Sequence, residues 1–284
     1  MTTRWGRLFA LCGPVLLCWS GMALAEASPR ERFTAAIAEI NAQLGPIEAV
    51  KAPPAFSDPA NRARYETVRE TIALIGTDAF PISGMDSFDA VCAPINEATV
   101  KHMFVGTAAL KKQGLTQAQL GPALTAAMNS NARQYQNETV RLTVANLHCM
   151  AAHFPALSRF MEELKPDAFT AVRRDGLEKM GKGLANTIFG LATQSLTPGS
   201  LPENSRIAMD AAVRHAPDVV AIMLPKTRLD VLRRMTVLEG RVPVTYKADF
   251  QKLEAILQDK TCSGLCARLR DTAPPPGTPP LAPR

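Results

Sequence analysis

The sequence predicts an all-α protein, a multi-helix bundle-like domain around one buried central helix at about residues 128–154. Three observations carry this expectation. Residues 140–154, VRLTVANLHCMAAHF, are apolar on two sides of a helical wheel: Val140, Val144, Leu147, Ala151 and Phe154 on one stripe, Leu142, Ala145, Cys149 and Ala152 on another. A helix with one apolar stripe lies on a surface, whereas one with two is enclosed by neighbours. Helix-start signatures recur along the chain, and no two alternating runs flank a hairpin turn.

Ser28-Pro29-Arg30-Glu31 combines an N-cap serine, proline at the first helical position and a glutamate placed to reach back, which is a capping box. Phe33, Ile37, Ile40 and Leu44 then recur at helical spacing until Gly45-Pro46 stops the helix. Residues 51–57 contain Pro53-Pro54 and read as a linker, after which Ser57-Asp58-Pro59 opens a second helix with Tyr65, Val68, Ile72 and Ile75 on its face. Asp86 or Ser87 caps a third helix, expected to run to about Gln113, with Phe88, Val91, Cys92 and Ile95 on its apolar side. Thr116-Gln117-Ala118-Gln119 is another capping box, with Pro122 expected to break or restart that helix. Leu124, Met128, Asn131 and Tyr135 lead into the central stretch, which Pro155 ends or kinks. Pro166-Asp167 opens a helix of up to thirty residues in which Gly181, Gly183 and Gly190 suggest the close approach of another helix. Ser200-Leu201-Pro202-Glu203 is a third capping box, and Pro217 and Pro225 are expected to split residues 203–239 into short helices. Residues 246–258 form the last long helix, and 271–284, with PPPGTPP, read as a disordered tail. A joint near 197–202 could separate two subdomains, but one domain over 26–270 is the expectation, because neither half has a complete core of its own.

The N-terminus carries a targeting signal. Arg4 and Arg7 precede an apolar run at 8–19, and Ala23-Leu24-Ala25 is a small-x-small cleavage site, so residues 1–25 read as a signal peptide cut near Ala25. The apolar run is short for a membrane span, and no other stretch approaches the length a span needs, so a soluble exported chain, periplasmic or secreted, is expected, with a bacterial periplasm as the first choice. Without Arg4 and Arg7 the net charge falls from +6 to +4 and is spread along the chain. That balance, together with export, speaks against nucleic-acid binding.

Four of the six cysteines lie beyond the cleavage site: Cys92, Cys149, Cys262 and Cys266. In an oxidising compartment they are expected to pair as Cys92–Cys149, from two apolar helical faces, and Cys262–Cys266, with Gly264 bending the backbone between them. A metal set that starts from His148, Cys149 and His153 and adds Cys92 and His102 lacks the closely paired spacing of zinc ligands and needs reduced thiols, so no metal is expected. Cys262-Ser263-Gly264-Leu265-Cys266 is neither a haem-attachment nor a thioredoxin-like motif. Glu66 with Glu70, and Glu162 with Glu163, read as solvated surface, because no glutamate has a histidine three residues on. Nucleophile, P-loop and dinucleotide motifs are absent, and no cofactor is expected.

The unusual feature is polarity in the central helix. Arg141 and His148 stack on one side, and Thr139, Thr143, Asn146 and His153 line another. Buried, these groups need partners. They form either a hydrogen-bond network that sets helix register or a polar ligand pocket with Arg141 as its anion anchor. The expectation is a binding or structural, interaction-type protein rather than an enzyme. The alternative is an enzyme or ligand-binding protein with a pocket around Arg141 and His148.

Overall fold

The computed structural model describes residues 27–271 apart from 83 and 85. The expected signal peptide and the proline-rich tail beyond Asp271 lie outside the described residues.

The described chain is all-helical. Its elements are α1 (Pro29–Leu44), α2 (Pro59–Ile72), α3 (Asp86–Met103), α4 (Thr107–Lys111), α5 (Gln117–Gln134), α6 (Gln136–Glu163), α7 (Ala171–Ala192), α8 (Pro202–Ile222), α9 (Pro225–Thr236), α10 (Val244–Gln258) and α11 (Gly264–Asp271), with four short 3₁₀ turns between them. No helix among the described residues is long and apolar enough to cross a membrane.

α6 is the shared wall of two apolar cores, and its two stripes divide between them. Val140, Leu147, Ala151 and Phe154, with Val144 partly buried, face a core built with α7, α8, α9, α10 and α11. Leu142, Ala145 and Cys149, with Ala152 partly buried, face a second core built with α1, α2 and α3. A helix apolar on two sides satisfies both only when enclosed on both, which is the arrangement seen.

The local signals account for several element ends. Ser28 accepts from the Glu31 backbone while Glu31 accepts from the Ser28 backbone, closing the capping box of α1. Asp58 caps α2 by accepting from the Ala60 and Asn61 backbones. Gly106 sits at φ 71°, a left-handed conformation that suits glycine, and divides α3 from α4. The helix expected to continue to Gln113 therefore ends at Met103.

Several boundaries differ from the sequence expectation. The central helix is not 128–154: the chain leaves helical geometry at Tyr135 (φ −109°, ψ 34°), α5 stops before it and α6 runs on to Glu163. α5 is fastened separately, through Asn131 Nδ2, which donates to the Met103 and Val105 carbonyls. Pro155 lies inside α6, Pro122 inside α5 and Pro217 inside α8, with the helices continuing through them. Proline in a helix interior costs about 3 kcal/mol, whereas burying one Phe or Met side chain contributes about 1.5–3 kcal/mol. Phe154 and Met161 on either side of Pro155, and Ala216, Val219, Val220 and Ile222 around Pro217, are all buried. At Pro155 and Pro217 burial therefore outweighs the local breaker. The long helix from Pro166 is instead a 3₁₀ turn followed by α7, which Thr170 caps, and α11 is the last element of the described residues, where only a cysteine clip was expected.

Of the three glycines in α7, Gly181 alone meets the approach its residue type suggested: a Cβ there would lie 3.7 Å from the Ile222 carbonyl oxygen, while Gly183 and Gly190 face open space.

Both cysteine pairs are within bonding distance, with Cα atoms 5.6 Å apart at Cys92–Cys149 and 5.2 Å at Cys262–Cys266. The first ties α3 to α6 inside the core lined by α1 and α2. The second closes the start of α11, whose Arg268 donates to the Glu162 and Leu164 carbonyls at the end of α6.

Candidate functional site

Arg141 is 2% exposed and lies where α2, α6 and α8 converge. Its Nε donates to Glu66 Oε1 (2.8 Å), its Nη1 to Asn204 Oδ1 (3.1 Å) and the Asn137 carbonyl (3.2 Å), and its Nη2 to Glu203 Oε1 (3.0 Å). Its guanidinium carbon stands 4.1 Å from the centre of the Phe56 ring. Asn204 Nδ2 in turn donates to Asn137 Oδ1 and Gln136 Oε1. Burial would raise the Glu66 carboxyl, but the hydrogen bonds and charges of Arg141 and Arg69 outweigh it and hold the group below the usual glutamate range.

Two expectations are corrected by this network. Glu66 is not solvated surface: its side chain is 26% exposed and bridges Arg141 and Arg69. Glu203 does not form a capping box with Ser200, because Leu201 is the N-cap of α8 and Glu203 turns to Arg141. Ser200 bonds the Ser205 hydroxyl and accepts from Gln194.

His148, two turns along α6, occupies different surroundings. It lines a cleft of about 270 Å³ between α2, α6 and α8, together with Glu66, Arg69, Glu203, Asp210 and Arg214. Arg141 is not part of that lining. Across the cleft His148 Nδ1 lies 3.1 Å from His215 Nε2, and the two rings stand nearly perpendicular at 83°. Burial, then the neighbouring His148 and Arg214 charges, push His215 down to about 4, and burial and Arg214 lower His148 too, so both rings are neutral at pH 7. The lining contains no serine, threonine or cysteine to act as a nucleophile.

No protein-family model, curated protein or solved structure matches this chain.

The other two histidines are paired within the core. His153 Nδ1 lies 2.8 Å from the Cys149 carbonyl and its Nε2 2.7 Å from the Ser87 hydroxyl. Cys92, Cys149 and His153 do converge, but the sulfurs are bonded to each other and offer no thiolate to a metal. His102 belongs to another cluster, 3.0 Å from the Tyr65 hydroxyl, and burial pushes it down to about 4.

A third feature was not anticipated. Phe88 of α3, Met150, Phe154, Leu157 and Phe160 of α6, and Leu177 and Met180 of α7 enclose an apolar groove of about 320 Å³. Phe160 remains 46% exposed there, and Arg173, in the first turn of α7, is part of the lining. Each of these residues has an ordinary core spacing in its own helix. What the sequence does not display is that three helices leave a gap between them, and Phe160 lies beyond Pro155, where the central stretch was expected to end or kink.

Proposed function

We propose that this protein is exported to the bacterial periplasm and works there as a binding protein that holds a small, largely apolar molecule in the α3–α6–α7 groove. The basic, apolar and small-residue pattern of residues 1–25 supports export, and two cysteine pairs at disulfide distance fit an oxidising compartment. The observation that carries the binding reading is the groove itself. Its volume of about 320 Å³ reaches the range of small-molecule sites, it is walled by aromatic and methionine side chains, and it leaves Phe160 exposed. Methionines at 150, 161 and 180 give it adaptable walls.

Gly176 lines the same groove, and a Cβ built there meets nothing within 4 Å. Gly176→Phe should therefore fill the groove without straining α7, and it replaces a poor helix former. Titration with an environment-sensitive apolar dye should show saturable binding to the unmodified protein and its loss in Gly176→Phe, with stability equal or higher. No saturable binding, or binding that survives a filled groove, would overturn the reading. So would a concentration-dependent dimer that buries Phe160 and excludes the dye.

The second reading is a polar-ligand or enzymatic site around Arg141 and His148. The neutral His148–His215 pair in an open cleft favours it. Against it, Arg141 is enclosed by its own partners and does not offer its charge to the cleft.

A further inference from the structure

Two imidazoles from different helices converge on the α2–α6–α8 cleft, and their chemistry is absorbed neither by the Arg141 network nor by the apolar groove. We propose that His148 and His215 form a binding site for a divalent transition-metal ion such as Zn²⁺ or Cu²⁺, which enters from the cleft.

The geometry fits a chelating pair. Metal–imidazole bonds are about 2.0–2.1 Å. Nitrogens 3.1 Å apart, as in His148 Nδ1 and His215 Nε2, bonded at that length subtend an angle of about 100° at the metal, between octahedral and tetrahedral values. Imidazole is a favoured ligand for borderline divalent ions, and it must be neutral to coordinate. Burial and Arg214 keep both rings in that form at neutral pH.

The far side of His215 is also arranged suitably. Its Nδ1 lies 3.9 Å from Asp218 Oδ2. At that distance the carboxylate makes no hydrogen bond to the ring, but its negative charge favours a proton on the nearer nitrogen, which leaves the Nε2 lone pair toward His148. A carboxylate behind the outward ring nitrogen is the usual companion of a metal-ligating histidine. Without metal, His148 Nδ1–H then donates to His215 Nε2. Binding requires His148 to carry its proton on Nε2 instead, a change of tautomer with no net proton release. Two protein nitrogens leave the remaining positions to water, because no third histidine, cysteine or carboxylate among the described residues lies close enough to both to complete a three-ligand set. Arg214 lines the same cleft and opposes an incoming cation.

The proposal is independent of the apolar groove and is tested on the full chain, free of added histidine tags and stripped by chelator. Calorimetric titration with Zn²⁺ and with Cu²⁺ should show one ion per chain, and the Cu²⁺ complex should show nitrogen hyperfine structure from two imidazoles. His148→Asn should weaken binding by at least about a hundredfold, and Asp218→Asn by about tenfold, as loss of an outer partner does. Arg214→Gln, at an exposed position, should tighten binding severalfold. No saturable binding of either ion, undiminished binding in folded His148→Asn, or a Cu²⁺ spectrum without imidazole nitrogens overturns the proposal. Should His148→Asn fail to fold, the Cu²⁺ spectrum and the Arg214→Gln comparison decide it: unchanged or weaker binding in Arg214→Gln counts against the cleft.

Discussion

Arg141 Nε meets Glu66 Oε1 at 2.8 Å across the seam between α6 and α2, while the same guanidinium reaches Glu203 of α8 at 3.0 Å. One side chain thus joins helices from both cores. The two carboxylates are not equivalent, because the Glu66 side chain is 26% exposed and that of Glu203 is 64% exposed.

The consequence is an ordered series of stabilities. Arg141→Ala leaves Asn204 Oδ1 without its donor and Glu66 with Arg69 alone, and should cost about 3 kcal/mol, the scale of a broken buried pair. Glu203→Gln should cost under about 1 kcal/mol, as exposed ion pairs do. Arg141→Lys should not restore the loss, because an ammonium reproduces neither the forked hydrogen bonds nor the stacking on Phe56. Urea denaturation of the three variants checks the order. An Arg141→Ala protein as stable as the parent would remove the network from any structural role.

The two disulfides should differ in worth. Cys92–Cys149 closes a separation of 57 residues, and chain-entropy arithmetic for such a loop gives about 4 kcal/mol. Cys262–Cys266 spans four residues and restrains the unfolded chain far less. Cys92→Ser with Cys149→Ser should lower the melting temperature markedly, and Cys262→Ser with Cys266→Ser only slightly. Non-reducing peptide mapping should recover these two pairings, and any cross-pairing would contradict the docking of α3 on α6.

Acid should destabilise the fold in a defined window. His102 and His215 are lowered from 6.5 to about 4 by burial. A histidine whose folded-state value is depressed binds its proton more readily when unfolded, so stability is full above about pH 6.5 and falls as pH drops toward 4. Each fully titrating group contributes a slope of at most about 1.4 kcal/mol per pH unit. The contribution of His215, beside the open cleft, is smaller than that of His102, enclosed by Tyr65. Chemical denaturation between pH 7 and 4 measures the slope. His102→Gln, which keeps a hydrogen-bonding side chain beside the Tyr65 hydroxyl, should flatten it. A slope unchanged in that variant would assign the acid sensitivity of this window to His215, because Glu66, lowered from 4.5, loses its contribution only at lower pH.

The sequence by itself determined whatever depends on near neighbours in the chain. The two stripes of α6 were readable because helical periodicity is local, and Leu147 and Ala145 went to opposite cores as their spacing required. The same holds for the caps at Ser28 and Asp58, each completed within three residues. The cysteine pairing was readable because Cys92 and Cys149 each lie in an apolar helical pattern. Tertiary structure alone decided which side chains become partners. Glu66 looked like surface and Glu203 like a cap, yet both serve Arg141, from 75 and 62 residues away. His215 carries no local mark of its contact with His148, which spans 67 residues. Pro155 and Pro217 read as breaks because proline's cost is local, and they sit inside helices because the burial that outweighs it comes from other helices. The apolar groove obeys the same rule: each wall residue is ordinary in its own helix, and only the packing of α3, α6 and α7 leaves the space between them.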